Sequence, residues 1–293
     1  MDSRKVLKRL LQSESLCVAP GCFDGLSARL VEEAGFEAAY LSGGAVARSM
    51  ALPDIGLVTM PEIIERAAQA VAAVKIPIIA DADTGYGNAI NLVRTVREFE
   101  RTGVAAIHIE DQITPKRCGH LDGKEVISLD EMEKKIEAAL ASRMDPDFGI
   151  IARTDARAVN GLEDAIERGR SFARMGVDAV FIEAPESEVE LETIANSLRN
   201  DVPLMVNMFK GGKTPLLPVS KLQQMGYRLA IYPSETQRAS IHAMRRTLQY
   251  LRQRGSTETI DHELTTFQER DRIVGLNDWQ EMERRFLRPA PKS

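Results

Sequence analysis

The feature that most constrains the fold is a pattern that recurs along the chain: a helical stretch ends at glycine, and a short apolar run follows and then turns abruptly polar. The glycines of four such repeats are Gly35, Gly103, Gly176 and Gly226. Glycine just past a helix end supplies the left-handed residue that turns the chain into a strand. Runs that are apolar at nearly every position are typical of strands buried on both faces. Including four runs without the glycine, eight strands are predicted, over residues 17–20, 38–42, 76–83, 105–111, 149–155, 179–183, 204–208 and 229–233.

Helical segments separate these strands. Thr59-x-x-Glu62 and Ser128-x-x-Glu131 are capping-box patterns that begin two of them. Eight alternations of strand and helix require parallel strands with helical crossovers, so the sequence predicts an α/β fold, a closed (β/α)₈ TIM barrel. The alternative is an open doubly wound sheet, which would need a glycine-rich phosphate loop. The sequence contains neither GxGxxG nor GxxxxGK[ST].

The repeating pattern stops after about residue 255. We therefore predict three segments: a barrel catalytic domain over residues 1–255, a C-terminal helical extension with two helices over 256–287, and a flexible tail over 288–293.

Charge and composition exclude several classes of partner. The chain has 293 residues and a formal net charge of −5. A mildly acidic protein has no general attraction for nucleic acid or anionic membranes. No apolar run reaches the ~18–20 residues that a membrane-spanning helix needs. We predict a small-molecule ligand and neither a nucleic-acid nor a membrane partner.

The number of cysteines indicates whether the protein occupies an oxidising or a reducing compartment. Cys17, Cys22 and Cys118 are an odd set of three in a chain that is long enough to fold without disulfides. The first fifteen residues are charged throughout and do not resemble a secretory signal. These features predict free thiols in a cytoplasmic protein, with Cys17 and Cys22 in the core.

Acidic residues stand at the ends of neighbouring predicted strands. Asp81 and Asp83 end the third strand and are two residues apart, so within a strand they would share a face. Glu110 ends the fourth strand, and active sites of such barrels form at this end. Oxygen ligands without histidine favour Mg²⁺, or Mn²⁺, over Zn²⁺. The alternatives are that one or two of these acids pair with Arg153, or that strand ends are polar where they meet water.

Two loops carry groups that could hold an anion. Ser42-Gly43-Gly44 follows the second strand, and bare glycines let backbone N–H groups approach an anion, although this is also an ordinary turn sequence. Residues 116–120, Lys-Arg-Cys-Gly-His, lie in the long loop after the fourth strand. Two cations beside the Cys118 thiol favour its thiolate form and could also bind a substrate carboxylate. The loop is also expected to close over the site as a lid. The alternative is an exposed basic loop.

These residues carry a resemblance to a known family. The chain is similar to the isocitrate lyase / phosphoenolpyruvate mutase superfamily, in its methylisocitrate lyase-like branch. The resemblance covers nearly the whole chain, and Asp-Ala-Asp-Thr-Gly-Tyr-Gly with Lys-Arg-Cys-Gly-His is specific to it. The matching segments are residues 40–44, 52–56, 81–87, 108–112, 116–120, 152–156, 207 and 211–215.

The resemblance implies roles for residues of this chain. Asp81 and Asp83 would bind Mg²⁺, and Glu110 would hold metal-bound water. The implied catalytic residues are Cys118 as the acid–base group, Tyr40 as a candidate base, Arg153 and His120. The implied substrate-binding residues are Ser42, Gly43, Gly44, Asp54, Lys116, Arg117, Gly119, Glu183, Asn207 and Ser234. Family members also imply a homotetramer in which a helix after the barrel is exchanged between subunits.

The implied chemistry is a retro-aldol-type cleavage of a small 2-hydroxy di- or tricarboxylate, of the 2-methylisocitrate or 2,3-dimethylmalate type, to pyruvate and a second carboxylate. The segments 120–124 and 207–215 depart from methylisocitrate lyases and resemble more closely dimethylmalate lyases, carboxyphosphonoenolpyruvate mutases and oxaloacetate hydrolase-like members. Tyr232-Pro-Ser-Glu-Thr236 makes the wall after the eighth strand unusual. The alternatives are a phosphonomutase, an oxaloacetate hydrolase or decarboxylase, and a non-catalytic binding barrel.

Overall fold

The barrel predicted from the repeating pattern is present. The computed structural model describes residues 2–287, and in it eight parallel strands pair in sequence order and close between the last and the first. All eight predicted strands are confirmed. Their bounds are β1 Cys17–Cys22, β2 Ala39–Leu41, β3 Ile78–Asp81, β4 Ala106–Glu110, β5 Gly149–Thr154, β6 Ala179–Ile182, β7 Leu204–Asn207 and β8 Leu229–Tyr232.

Helices cross between consecutive strands. A short 3₁₀ helix, Glu258–Glu263, lies in the C-terminal extension. The α-helices are α1 Ser3–Gln12, α2 Gly25–Glu33, α3 Gly43–Ser49, α4 Met60–Ala73, α5 Ala89–Thr102, α6 Leu129–Ser142, α7 Ala156–Val159, α8 Leu162–Arg174, α9 Glu188–Leu198, α10 Val219–Met225, α11 Glu235–Arg254, α12 Phe267–Ile273 and α13 Leu276–Phe286.

The local signals that predicted the helix ends work as expected. Gly103 follows α5 in the left-handed conformation, with φ of 88°. At the start of α4 the Glu62 carboxylate accepts from the Thr59 backbone N–H at 2.7 Å, which completes a capping box. Ser128 caps α6 by accepting from the Glu131 backbone N–H at 3.2 Å. These caps set the lengths of the crossovers.

Seven of the eight strands are shorter than predicted, and in β3 the difference affects the site. β3 ends at Asp81, and Asp83 has φ of 47° in the left-handed region. The expectation that the two acids share one face of a strand is therefore wrong. A tight turn brings them together instead, because the Asp83 backbone N–H donates to Asp81 Oδ1 at 3.0 Å.

The core has two parts. The larger lies between the strands and the surrounding helices and includes Phe99 and Phe172. The smaller fills the inside of the barrel, and Leu7 and Leu11 of α1 belong to it. Burial of these side chains provides most of the stabilisation, at roughly 1.5–3 kcal/mol for each large one.

The chain divides into two compact units, one up to Gln237 and one from Arg238. The division lies near the start of α11, whereas the predicted boundary at residue 255 lies at its end. The later part of α11 contacts the 3₁₀ helix: Tyr250 and Thr259 join their hydroxyls, and Arg246 pairs with Glu263. The extension contains the two predicted helices, α12 and α13. The tail predicted over residues 288–293 lies outside the described residues.

No helix within residues 2–287 has both the length and the apolar character needed to cross a membrane.

Candidate active site

A cavity opens at the carboxyl ends of the strands, in the first compact unit. Most of the residues predicted for the site line it together, although they come from separate parts of the chain. The predicted residues that line it are Tyr40, Ser42, Gly44, Asp54, Asp81, Lys116, Cys118, Gly119, His120, Arg153, Glu183, Asn207 and Ser234.

Tyr40 and Asp81 form one wall with a third residue, His108. The register of β3 and β4 pairs Asp81 with His108. The Tyr40 hydroxyl lies 2.7 Å from His108 Nε2 and 3.3 Å from Asp81 Oδ2. Burial raises the pKa of Tyr40 well above its usual value and lowers the pKa of His108 to about 4. At neutral pH these shifts keep the phenol protonated and the imidazole neutral.

Lys116 lies between two acids. Its Nζ is 2.5 Å from Asp54 Oδ1 and 2.9 Å from Asp83 Oδ1, and its side chain is buried. Burial lowers the pKa of Lys116, but Asp83 and Asp54 outweigh that effect and raise it, so the ammonium stays charged. The loop residue thereby neutralises part of the acidic cluster.

The acids fit a divalent metal ion. Within the described chain, Glu110 Oε1 and Asp83 Oδ1 are buried without a hydrogen bond, although Lys116 Nζ approaches the latter. Burial raises the pKa of Asp83 to about 6 and that of Glu110 well above its usual value. A buried carboxylate oxygen without a partner, such as Glu110 Oε1, is a suitable ligand for a hard cation. No three His, Cys, Asp or Glu side chains of residues 2–287 form a ready metal cage, and Mg²⁺ usually needs only one or two carboxylates besides water.

Arg153 is fixed by three carboxylates. The register of β4 and β5 pairs it with Glu110, and its Nε lies 3.1 Å from Glu110 Oε2. Its Nη2 lies 3.3 Å from Glu183 Oε2, and Asp155 accepts from Nε at 2.9 Å. The alternative that one predicted metal acid pairs with Arg153 is thus confirmed for Glu110. A buried guanidinium held this way presents a fixed charge to the cavity.

The loop after β2 begins a helix at the cavity wall. Ser42 caps α3, and its Oγ accepts from the Ala45 backbone N–H at 3.2 Å. A Cβ on Gly43 would lie 2.7 Å from Asp81 Oδ2, and one on Gly44 would lie 2.7 Å from Asp54 Oδ2. Only glycine allows the two acids to approach the backbone this closely.

The long loop after β4 covers the cavity. Cys118 donates its backbone N–H to the Asp54 carbonyl at 3.2 Å. The His120 ring stacks on Phe209 with centroids 5.2 Å apart, and its Nε2 lies 3.3 Å from Asn207 Nδ2. Burial, followed by Asp54, raises the pKa of Cys118. The expected thiolate is therefore wrong, because Lys116 is paired with acids and the half-buried thiol keeps its proton.

Comparison with known proteins identifies the family. A family model described as phosphoenolpyruvate phosphomutase matches residues 7–252. The chain belongs to this family, within the PEP mutase / isocitrate lyase superfamily. It is therefore an enzyme of a group that contains lyases and mutases, and a divalent metal requirement is general in the family.

Relatives cover nearly the whole chain. It is 41% identical over 287 residues to 2,3-dimethylmalate lyase of Eubacterium barkeri, covering 98% of this chain and 99% of that one. It is 42% identical over 285 residues to 2-methylisocitrate lyase of Aeropyrum pernix, covering 97% and 91%. A solved structure of oxaloacetate acetylhydrolase with 3,3-difluorooxalacetate is 37% identical, with a TM-score of 0.91, covering 97% and 96%.

Four predicted residues do not line the cavity of this family member. Gly43, Asp83 and Glu110 lie directly behind lining side chains, as their contacts with Asp81, Lys116 and Arg153 show. Arg117 needs a correction, because its side chain is exposed and lies beside a separate surface pocket. Lys116 and Arg117 are neighbours in an extended loop, so one side chain turns inward and the other outward.

Some residues of the site were missed from the sequence. His108 has a 0% exposed side chain that supports Tyr40. Arg48 lines the cavity, and its Nη1 donates to the Gly44 carbonyl at 2.8 Å. Phe209 and Phe181 complete the wall. A histidine inside an apolar strand run was the available signal for His108, whereas nothing local indicated Arg48.

Proposed function

We propose that this enzyme is a Mg²⁺-dependent carbon–carbon lyase that cleaves a small 2-hydroxy di- or tricarboxylate to pyruvate and a second carboxylate. The observation that carries the proposal is a protonated cysteine thiol, Cys118, in the same cavity as the fixed cation Arg153 and the acidic cluster around Asp81. Similarity to 2,3-dimethylmalate lyase and 2-methylisocitrate lyase supports the choice of reaction.

The acids at the ends of β3 and β4 would hold the metal. Asp81 and Asp83 would bind Mg²⁺, or Mn²⁺, and Glu110 would hold its water through the oxygen that has no other partner. When bound, such an ion stabilises negative charge on the substrate's 2-oxygen.

Substrate binding, proton transfer and charge balance would be carried out by different residues of the chain. Ser42 and the backbone N–H groups of Gly43 and Gly44 would hold the keto-acid end. The 2-hydroxyl loses its proton, and the bond between C2 and C3 breaks with its electron pair moving to C3. Cys118 gives its thiol proton to C3, so a protonated thiol is the form the step needs. Arg153 would balance the second carboxylate.

Tyr40 would participate in removing the first proton only through a partner. Its hydroxyl is protonated at neutral pH, so it must pass its own proton onward before it accepts another. His108 Nε2 at 2.7 Å and Asp81 Oδ2 at 3.3 Å are the two acceptors in reach. His120, neutral because burial lowers its pKa, would orient the substrate beside Asn207.

The test is release of pyruvate from a panel of substrates with Mg²⁺, followed enzymatically. The panel holds 2-methylisocitrate, 2,3-dimethylmalate, oxaloacetate and phosphonopyruvate. We expect pyruvate from a 2-hydroxy acid, and loss of the reaction on chelation of the metal. Turnover of oxaloacetate or phosphonopyruvate alone would contradict the proposal. A melting temperature raised by Mg²⁺ and oxalate without any turnover would favour a binding barrel.

Hydrolysis of an oxaloacetate-type substrate is the second candidate. The likeness to the oxaloacetate acetylhydrolase structure favours it, as does the polar Ser234 in the cavity wall. The same panel separates the two, because hydrolysis of oxaloacetate yields oxalate and no pyruvate.

We also propose that the enzyme is a homotetramer in which the C-terminal helices pack against other subunits. Within the second compact unit, α13 exposes Trp279 and Phe286 on one face, with 64% and 69% of each residue accessible. Phe267 of α12 is 66% exposed. Large apolar side chains grouped in this way are typical of subunit interfaces.

A further inference from the structure

Lys124 lies at the end of the loop that covers the cavity, and its position is unusual for a lysine. Its side chain is 2% exposed. Its ammonium donates to the Gly119 carbonyl and lies 2.8 Å from Asp155 Oδ1. A buried ammonium is costly unless it is paired and hydrogen-bonded, so this geometry requires both partners.

Asp155, the acid at this contact, also grips Arg153. Arg153 donates from Nε to Asp155 Oδ2 at 2.9 Å and from Nη2 to Oδ1 at 3.2 Å. The Asp155 backbone N–H in turn donates to Asp111 Oδ1 at 2.9 Å, which fixes the acid at the end of β5. Although burial raises the pKa of Asp155, Arg153 and Lys124 outweigh it and hold the value at about 2, so the carboxylate stays charged.

The other partner, Gly119, lies directly against the site. A Cβ at this position would be 2.7 Å from Arg153 Nη2 and 2.6 Å from Glu183 Cγ. The backbone at Gly119 therefore packs directly against Arg153 and Glu183, two of the side chains that line the cavity. Cys118 and His120 flank it, so the position of Gly119 sets the position of both.

We propose that Lys124 is a positioning residue that locks the loop in its closed position, by joining the Gly119 carbonyl to the carboxylate that orients Arg153. One buried contact thereby fixes the position of the Cys118 thiol relative to the Arg153 guanidinium. The consequence for turnover rests on the proposed lyase function, whereas the consequence for the loop does not.

Other attachments of the loop differ from this one. Gln112 holds the backbone of Arg117 near the loop's start, accepting at 2.9 Å and donating at 2.8 Å. Asp122 pairs with Lys213 at 2.9 Å, but Asp122 is 90% exposed. Exposed pairs contribute little. Asp122→Asn is therefore a matched control, a charge pair broken in the same loop outside the site.

The experiment measures the rate at which a small alkylating reagent modifies Cys118, followed by mass spectrometry on the full-length protein. We expect Lys124→Met to raise that rate at least tenfold and Asp122→Asn to leave it unchanged. Cys17 and Cys22 are buried and serve as internal controls for folding. Rates taken from pH 7 to 9 separate access to the thiol from its ionisation.

The second readout is turnover of whichever substrate the wild-type enzyme uses. Misplacement of reacting groups by about 1 Å costs on the order of 100-fold, and we expect kcat/KM of Lys124→Met to fall by about that factor. Lys124→Gln, which keeps a hydrogen-bond donor, should fall between wild type and Lys124→Met in both readouts. If Lys124→Met does not fold, the alkylation rate of Cys118 in Lys124→Gln tests the proposal instead.

Alkylation of Cys118 at the wild-type rate in both Lys124 variants would overturn the proposal, whatever happens to turnover. Failure of the proposed function has a different signature. In that case the wild type releases no pyruvate from the panel, yet the alkylation rate still rises in Lys124→Met.

Discussion

Cys118 is the residue to which the proposed reaction assigns the proton transfer to carbon. Burial and the nearby Asp54 raise the pKa of its thiol, and Lys116 is occupied by Asp54 and Asp83. The environment that makes it a poor nucleophile makes it a proton donor. The reaction that we propose for this family member therefore uses the thiol as an acid.

Cys118→Ser should lower kcat by about 100- to 10,000-fold, because a serine hydroxyl is a far weaker acid than a thiol and general acid catalysis contributes that range. Metal affinity, measured by titration calorimetry, should stay within twofold of wild type. Cys17→Ala is the control, since this buried cysteine lies away from the cavity. Full activity in Cys118→Ser would exclude the acid role.

Affinity for Mg²⁺ should depend on pH through Asp83. Burial raises the pKa of this carboxyl to about 6, against the opposing effect of Lys116, so a proton occupies it below that pH. Metal binding must displace the proton. The affinity should therefore fall about tenfold for each pH unit below 6 and level off above it. A flat calorimetric profile from pH 5 to 7.5 would contradict this.

Sequence reasoning found the residues at strand ends and missed their orientations. Position in a barrel brings Asp81, Glu110 and Arg153 to one end whatever their side chains do. Whether Lys116 or Arg117 turns inward depends on the path of a loop, which no periodicity encodes. The left-handed turn at Asp83 was hidden for the same reason, because neighbouring contacts rather than local preference select it.

At the level of elements, α1 is part of the barrel's own core. Leu7 and Leu11 join the cluster inside the strands, and Arg4 donates to the Glu100 carbonyl and pairs with Asp145 at 2.8 Å. The apolar strand runs predicted the eight strands because burial on both faces leaves a strong signal. The docking of α1 had no comparable signal, since it depends on the space left at one end of the barrel.

Leu7→Ala should lower the free energy of unfolding by about 2–5 kcal/mol, as expected for truncating a fully buried leucine. Kinetic constants should stay unchanged, because α1 contributes no residue to the cavity. Denaturant unfolding followed by circular dichroism measures the effect. Leu10→Ala, at a partly buried position of the same helix, should cost clearly less. Equal losses would contradict the assigned packing of α1.

At the scale of the whole molecule, the second compact unit carries the surface through which we propose that the subunits assemble. Its helices were predicted from the sequence, and the family resemblance implied that a helix is exchanged between subunits. The side chains that would meet a partner were not predicted, because an exposed apolar face has the same sequence pattern as a packed one. Trp279 and Phe286 are the most exposed of the large apolar side chains on α13.

Trp279→Glu should reduce the assembly mass measured by light scattering, because a charge would be buried at the proposed interface. Gln280→Glu is the matched control, since it adds the same charge next to Trp279. A tetramer in both variants, or a monomeric wild type, would contradict the proposed interface.

The central claim is that a carbon–carbon bond breaks and that the new carbanion takes a proton from the enzyme. Its most direct test is the reaction in D₂O with Mg²⁺ and the 2-hydroxy acid that the protein turns over, with mass spectrometry of both products. We predict pyruvate and a second carboxylate in equal amounts, with one deuterium on carbon in the second carboxylate. Cleavage without deuterium in that product, or no pyruvate from any 2-hydroxy acid, would contradict the account.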